Sequence, residues 1–288
     1  MIHNTVTVAH ISDLHLAGRH DRRSLASLDR MLRHFNERKI DHLVITGDLF
    51  DTYMPAEWPV MREKLREHDF CSWERTTLIP GNHDLITIEE EMRIYNALNP
   101  FPGSRKRALQ ERLSGFCALF GDLMGGDGEI KKGFPYVKVM RFPRVSLAFV
   151  GVNSVWPWHR SDNPLGARGF IDPAEFRALS QPSVAEALRG SFVIGLCHHA
   201  LRVYGTSSPI DQAFDWTMEL INRDEYLAVM QELRTNVIVH GHFHRFQTYA
   251  MGGVQIVNGG SFRYGPDRYS EMVIGEDGSF AQRFVTLS

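Results

Sequence analysis

Cysteine is scarce in this chain. The three present, Cys71, Cys117 and Cys197, are an odd number and form no Cys-x-x-Cys pair. That argues against a disulfide framework and for a reducing compartment. No basic-then-apolar segment precedes the strand-like run Val6-Thr7-Val8-Ala9-His10-Ile11, and no apolar run is long enough to span a bilayer. The expectation is a soluble cytoplasmic protein without a transmembrane segment. An excess of one charge is lacking as well: Lys plus Arg is 32 and Asp plus Glu is 34, for a formal net charge of -2. This balance gives no general attraction to nucleic acid or to an anionic membrane, although it leaves room for a local basic patch. Internal repeats and low-complexity tracts are lacking too. What stands out is histidine, 14 in 288 residues, and its placement matters more than its number.

The first third reads β-α-β-α-β. Strands are expected at Val6–Ser12, His42–Thr46 and up to Ile79, with helices carrying Leu25, Leu28, Met31, Leu32 and Phe35 at three- and four-residue spacing and then covering about 56–67. This is the pattern of a parallel unit with helices packed on a sheet. The stretch from about 85 to 133 differs and reads as a helical insertion or cap. Within it, Leu109, Leu113, Phe116, Phe120 and Leu123 fall on one face of a helix over about 104–124. Strands return at Pro135–Met140 and Val145–Val152. A helix follows at about 173–188, then a strand at Phe192–Leu196, a helix at about 218–233 and a strand at Asn236–Val239. Four apolar runs (246–251, 254–257, 270–274 and 280–286) read as antiparallel strands completing a second sheet.

Five strand ends carry similar chemistry: Asp13-x-His15, Gly47-Asp48, Gly81-Asn82-His83-Asp84, Cys197-His198-His199 and Gly241-His242-x-His244. In open α/β sheets, sites form outside the carboxyl ends of strands. Residues two apart point the same way in an extended chain, so both side chains of Asp13-x-His15, and both of His242-x-His244, can face one ion. His198 and His199 are adjacent, so only one should reach it. Taken singly, each motif has a plainer use. Asp13 and Asp48 can cap helices, Asn82 can sit in a turn, and a lone histidine is usually structural. None of these uses explains the shared location.

The set, running in order from Asp13 to His244, resembles the calcineurin-like metallophosphoesterase family. The resemblance implies an α/β fold in which two mixed β-sheets pack face to face between helices, a four-layer αββα sandwich. The resemblance covers most of the chain, and the expectation is a single domain over 1–288 with a helical cap-like insertion at about 85–133. It also implies two divalent or mixed-valence metal ions, with Asp13, His15 and His244 on one, Asn82, His198 and His242 on the other, and Asp48 bridging both. Imidazole and oxygen ligands without thiolate suit Mn, Fe or Zn. Four positive charges against two carboxylates leave the site electropositive by about two charges, which favours a phosphate oxyanion. The implied reaction is attack of a metal-bridging hydroxide on phosphorus. His83 would stabilise the phosphoryl oxygens or protonate the leaving alkoxide, and Asp84 would orient His83.

The implied substrate is a small-molecule phosphodiester or phosphomonoester. A nuclease of the same family is the nearer alternative, against which the lack of an extended basic run weighs. A non-catalytic metal-binding scaffold is the alternative of another class, but such a protein should have lost ligands or His83, and all are present. Candidate substrate contacts are His199, Arg202, Tyr204, Trp156 and Trp158. The Trp156-Pro157-Trp158 run serves equally well to cover the edge of the core. Asn258-Gly259-Gly260-Ser261 is either a close backbone approach to a ligand or a plain connection. Arg105, Lys106 and Arg107 start the 104–124 helix at the wrong end for its dipole. They read as an anionic contact, including a peripheral membrane contact, or as a solvated turn beside a core-packing face.

Overall fold

A computed structural model describes residues 5–87, 90, 102–125, 133–157, 159, 162–163, 166–202 and 216–287. Eleven strands among these residues form two mixed sheets. The first has the order β11(Phe280–Thr286), β10(Arg268–Gly275), β1(Thr5–Ile11), β2(His42–Thr46), β3(Thr76–Ile79). The second has the order β4(Tyr136–Arg141), β5(Ser146–Gly151), β6(Phe192–Leu196), β7(Val237–His240), β9(Val254–Gly259), β8(Phe246–Met251). Strands β1, β2 and β3 run parallel, as do β5, β6, β7 and β9.

Side chains alternate across the second sheet with the period of two that a pleated strand imposes. Leu147, Phe149, Ile194, Leu196, Val237 and Val239 join the core shared with the first sheet. Their neighbours Ala148, Val150, Val193 and Ile238 face the other way, against α5(Pro173–Leu179) and α7(Arg223–Glu232). On the first sheet, α1(Arg22–Glu37) is capped by Asp21, whose Oδ1 accepts from the Ser24 N–H at 3.1 Å. It buries Leu28, Met31, Leu32 and Phe35. That face contributes on the order of 6–12 kcal/mol of gross transfer free energy before ordering costs. The second helix, α2(Trp58–Glu67), starts on Pro59, which is preorganised for a first helical turn.

The structure departs from the sequence expectation in three places. The four tail strands exist, but only β8 and β9 join the second sheet. The chain then crosses over, and β10 pairs antiparallel with β1 in the first. The helix expected over 173–188 is broken into α5 and α6(Pro182–Ala187), because Pro182 has no N–H to continue the ladder. The helix expected from 218 begins at Arg223, since Glu219 and Leu220 form bridges to Ala200 and Gly169.

Most of the 85–133 insertion lies outside the described residues, but its main helix, α4(Pro102–Met124), is described. Phe116, Phe120 and Leu123 are completely buried, and the Trp58 ring meets Phe116 edge-on at 5.5 Å. The buried Lys138 amine ties the end of this helix to the sheet, donating to Leu123 O at 3.0 Å and Thr76 O at 2.7 Å. The apolar face of α4 is therefore taken up by the core, the core-packing alternative for this helix. Near its start, Lys106 stands 4.0 Å from Asp172 of the same chain, while the Arg105 side chain lies outside the described residues. No helix among the described residues is long and apolar enough to cross a membrane.

Candidate metal centre

The carboxyl ends of β1, β2, β3, β6 and β7 meet at one edge of the two sheets. Asp13 N–H donates to Gly47 O at 3.0 Å, His15 N–H to Asp48 O at 3.0 Å and Gly241 N–H to His198 O at 3.1 Å. Two glycines let these ends approach. A Cβ on Gly81 would lie 2.1 Å from Asp48 Oδ1, and one on Gly241 would lie 1.8 Å from Ser12 Oγ and 2.3 Å from Asp13 Oδ2. No other residue fits there without moving the carboxylates.

Local backbone geometry corrects the extended-chain expectation. Asp13 (φ 53), His15 (φ 47), Asp48 (φ 52), His242 (φ 70) and His244 (φ 48) all lie in the left-handed region. Each such residue costs on the order of 1–3 kcal/mol and persists only where its surroundings hold it. Here both Asp13 oxygens accept from His242 N–H at 3.0 Å. The Asp13 carbonyl in turn accepts from Arg263 N–H and Ser261 Oγ, each at 3.1 Å. The two residues of His242-x-His244 consequently fall into different donor groups rather than onto one ion.

One group is Asp13, His15 and His244; the other is Asp48, His198 and His242. Within each, the ligand atoms lie inside 4.8 Å of one another. In the first, His244 Nε2 is 3.2 Å from Asp13 Oδ1 and 3.1 Å from His15 Nε2. In the second, His198 Nε2 is 3.3 Å from Asp48 Oδ2 and 3.1 Å from Asn82 Oδ1. The same Asp48 oxygen is 3.8 Å from His15 Nε2, so it stands between the groups.

These donors fit a pair of cations. His242 Nε2–H donates to Ala167 O at 2.8 Å, which leaves Nδ1 as a lone pair, and that atom is buried without a partner. His198 Nδ1–H donates to Thr46 O at 2.7 Å, turning its Nε2 toward Asp48 and Asn82. Backbone carbonyls thus set both tautomers, as outer partners of metal-binding histidines do. The donor set of imidazole, carboxylate and amide oxygen suits Mn, Fe or Zn.

Electrostatics point the same way. Burial opposes ionisation of Asp48, but the nearby His198 and His83 outweigh it and hold the carboxyl well below its ordinary value. Burial likewise opposes ionisation of Asp13, and the His244 hydrogen bond and the His198 charge reverse the balance. His198 is pushed up to about 9, since Asp48 and Asp13 overcome its burial, whereas burial and His198 push His242 down to about 3. Two buried carboxylates require positive charge here, and only some of the imidazoles can supply it.

Of the remaining sequence candidates, His83 is half-buried, with its Nδ1–H on Asp51 O at 2.8 Å and its ring 4.8 Å from that of His15. Asp84 does not orient it, contrary to expectation. Its Oδ1 accepts from the Leu49 and Phe50 N–H groups at 2.9 and 3.2 Å, and its Oδ2 from Gly81 N–H at 2.9 Å. Asp84 therefore pins the loops carrying Asp48 and Asn82 to each other. Burial, then the Asp48 charge, raise its carboxyl to about 7. His199 is fully buried behind His242, with ring centroids 4.4 Å apart and Nδ1 on Ser154 Oγ at 2.8 Å, so it backs the centre instead of meeting substrate. Arg202 is exposed, and its N–H donates to Tyr249 Oη at 3.3 Å. Trp156 packs on Phe170 at 4.4 Å. Tyr204 and Trp158 lie outside the described residues.

Sequence reasoning missed the backbone carbonyls of Thr46, Asp51 and Ala167, which have no side-chain signature. It also missed Ser154 and the loop after Gly260, where Arg263 reaches Asp21 at 3.1 Å and Tyr264 packs against His244 at 5.3 Å. The available signal for that loop was Asn258-Gly259-Gly260-Ser261, where the close approach is to a buried side chain of the chain itself: a Cβ on Gly259 would lie 2.6 Å from the His10 ring.

The sequence profile of calcineurin-like phosphoesterases matches residues 6–246 of this chain. No curated protein sequence matches it. Among solved structures, a Staphylococcus aureus protein assigned as a 5′-nucleotidase, in complex with alpha-ketoglutarate, is similar over 98% of this chain and 54% of its own, at 13% identity and a TM-score of 0.50. A dimetal phosphatase from Danio rerio is similar over 98% of this chain and 99% of its own, at 13% identity and a TM-score of 0.49. GAP50, the anchor in the inner membrane complex of Plasmodium, is similar over 98% of this chain and 84% of its own, at 10% identity and a TM-score of 0.49. At 13% identity the likeness to the Staphylococcus aureus protein bears on fold alone, and the two structures with TM-scores of 0.49 carry no argument.

Proposed function

Because the chain belongs to the calcineurin-like phosphoesterase family, we propose that it is a dinuclear-metal phosphohydrolase that cleaves a small-molecule phosphodiester or phosphomonoester. The observation that carries this reading is the position of Asp48, whose Oδ2 lies 3.3 Å from His198 Nε2 of one donor group and 3.8 Å from His15 Nε2 of the other. Asp13, His15 and His244 would hold one ion, Asn82, His198 and His242 the second, and Asp48 both. Two bound divalent cations would supply Lewis acidity toward a phosphoryl oxygen and a water of lowered pKa.

The chain's own residues do the rest. Thr46 and Ala167 hold the His198 and His242 tautomers through their carbonyls. Asp51 O holds His83 by its Nδ1–H, at the half-buried margin where a phosphate ester would meet the centre. There His83 would stabilise the phosphoryl oxygens or protonate the leaving alkoxide. In this reading the chain acts as one domain, since core residues of both sheets and of α4 form one cluster. Three free thiols suit a reducing compartment, the cytoplasm. The net charge of -2 favours a small ester over a nucleic-acid duplex.

The test is hydrolysis of bis(p-nitrophenyl) phosphate and p-nitrophenyl phosphate by protein loaded with Mn²⁺, alongside metal analysis. Two equivalents of metal with turnover of either ester support the reading. Turnover unaffected by chelation, or a single equivalent at saturation, overturns it.

A further inference from the structure

A second concavity lies apart from the metal centre, between α4 and α5. Its volume is about 350 Å³, within the range of small-molecule sites. The loop after β5 separates the two. Ser154 Oγ turns to the centre, bonding His199 Nδ1 at 2.8 Å and accepting from His198 N–H at 3.2 Å. Asn153 and Trp156 of the same loop line the cavity. Its walls are apolar (Leu109, Leu113, Phe134, Val155 and the packed Trp156–Phe170 pair).

In this apolar setting sits one carboxyl group, Glu175, which is 8% exposed. Its Oε2 accepts from Asn153 N–H at 3.0 Å, and its Oε1 has no hydrogen-bond partner among the described residues. A glutamate at this third helical position usually reaches back to the residue that caps the helix. Here the Asp172 side chain caps α5 by accepting from Ala174 N–H at 2.9 Å, and Glu175 turns toward the cavity instead. At the rim, Lys106 and Asp172 stand 4.0 Å apart and offset each other. Of the other polar groups lining the cavity, Trp156 Nε1 is a buried N–H without a partner among the described residues and Gln110 faces solvent, so the acceptor left inside is Glu175 Oε1.

We infer that this cavity binds a small amphipathic amine, with an aromatic or branched apolar body against Trp156 and Phe170 and its ammonium on Glu175 Oε1. A carboxylate oxygen calls for an N–H donor, and aromatic faces attract a cation. An anionic ligand would meet two carboxyls and one lysine. A purely apolar ligand would leave Oε1 buried and without a partner. Burial raises the Glu175 carboxyl to about 8, so at neutral pH the arriving ammonium displaces a proton to solvent and a paired charge replaces a neutral acid.

The experiment is calorimetric titration of the metal-loaded, full-length protein with phenethylamine and with its neutral isostere 2-phenylethanol. The expected result is saturable one-to-one binding of the amine, at least tenfold tighter than the alcohol, with a heat that varies with the ionisation enthalpy of the buffer. Glu175→Gln should weaken the amine at least tenfold and leave the alcohol unchanged. If that variant does not fold, Leu113→Trp, which adds bulk to the cavity from α4 on the wall opposite α5, must abolish amine binding. Equal affinity for amine and alcohol, no amine binding at millimolar concentration, or binding that survives these substitutions overturns the proposal.

Discussion

Asp84 separates two accounts of the centre, and substitution there distinguishes them. The carboxylate is completely buried and accepts three backbone N–H groups, from Leu49, Phe50 and Gly81. Asp84→Ala leaves all three donors without a partner in the interior. Each orphaned donor costs about 1–3 kcal/mol, and because they are neighbours the losses overlap, so the total should be about 3–6 kcal/mol. For a chain of this size that corresponds to a fall in Tm of roughly 5–10 °C. Asp84→Asn is milder. Its oxygen can still serve Leu49 and Phe50, its amide faces the Gly81 N–H, and the lost charge relieves repulsion from Asp48. The expected loss is about 1–2 kcal/mol. Both variants should keep His83 in place, since Asp51 O holds it. At saturating metal, kcat of the asparagine variant should therefore stay within about tenfold of the parent. The assay is thermal unfolding of the metal-loaded protein together with kcat on a p-nitrophenyl ester. A Tm unchanged within about 1 °C, combined with full metal content and a hundredfold loss of kcat, would show that Asp84 acts on the chemistry and that the staple argument is wrong.

Other substitutions test the remaining assignments. Asp48→Asn should lower metal stoichiometry below two and cut turnover at least a hundredfold, measured by metal analysis and ester hydrolysis; two tightly held ions with full activity would remove its bridging role. His83→Ala should retain two ions and lose about 10²–10⁴ in kcat, most for esters with poor leaving groups. Loss of an ion instead would make His83 a ligand, through its grouping with His15 and Asp48. Gly241→Ala should prevent stable folding or metal loading, because the added methyl would sit 1.8 Å from Ser12 Oγ; a soluble variant with parental Tm would contradict that. The Glu175 carboxyl, raised from 4.5 to about 8 by burial, keeps its proton longer in the folded than in the unfolded chain. Its contribution is fully present below about pH 4.5 and is lost as pH rises through about 8, by at most about 5 kcal/mol. Stability followed by denaturant titration should fall across that window more steeply in the parent than in Glu175→Gln, and parallel curves would refute the assignment.

Much of this could be read from one dimension. The β-α-β-α-β beginning and the polar pairs at five strand ends are local patterns, written in residues near one another. The apolar face of α4 was equally legible, since Phe116, Phe120 and Leu123 repeat with the helical period. What covers that face was not, because the same stripe packs on a membrane or on a core. The helix expected over 173–188 failed at Pro182, a breaker visible in the sequence but set against an otherwise helical pattern. The role of Asp84 was misread because an aspartate next to a histidine suggests a pair, whereas its three partners are N–H groups that every residue but proline carries.

The chemistry of the centre was determined by composition at a few positions: carboxylates, imidazoles and an amide, with glycines where strand ends must close in. Residue type dictates which ions such donors favour, whatever the fold. How the donors divide was settled by folding. Asp13, His15, Asp48, His242 and His244 adopt left-handed conformations that an isolated chain would rarely occupy, and contacts between strand ends, His242 N–H on Asp13 and His15 N–H on Asp48 O among them, hold them there. The same applies to β10, whose apolar pattern fits either sheet and which lies beside β1 because the chain crosses back. A strand's residues specify which face is buried, but they do not name the neighbour that buries it.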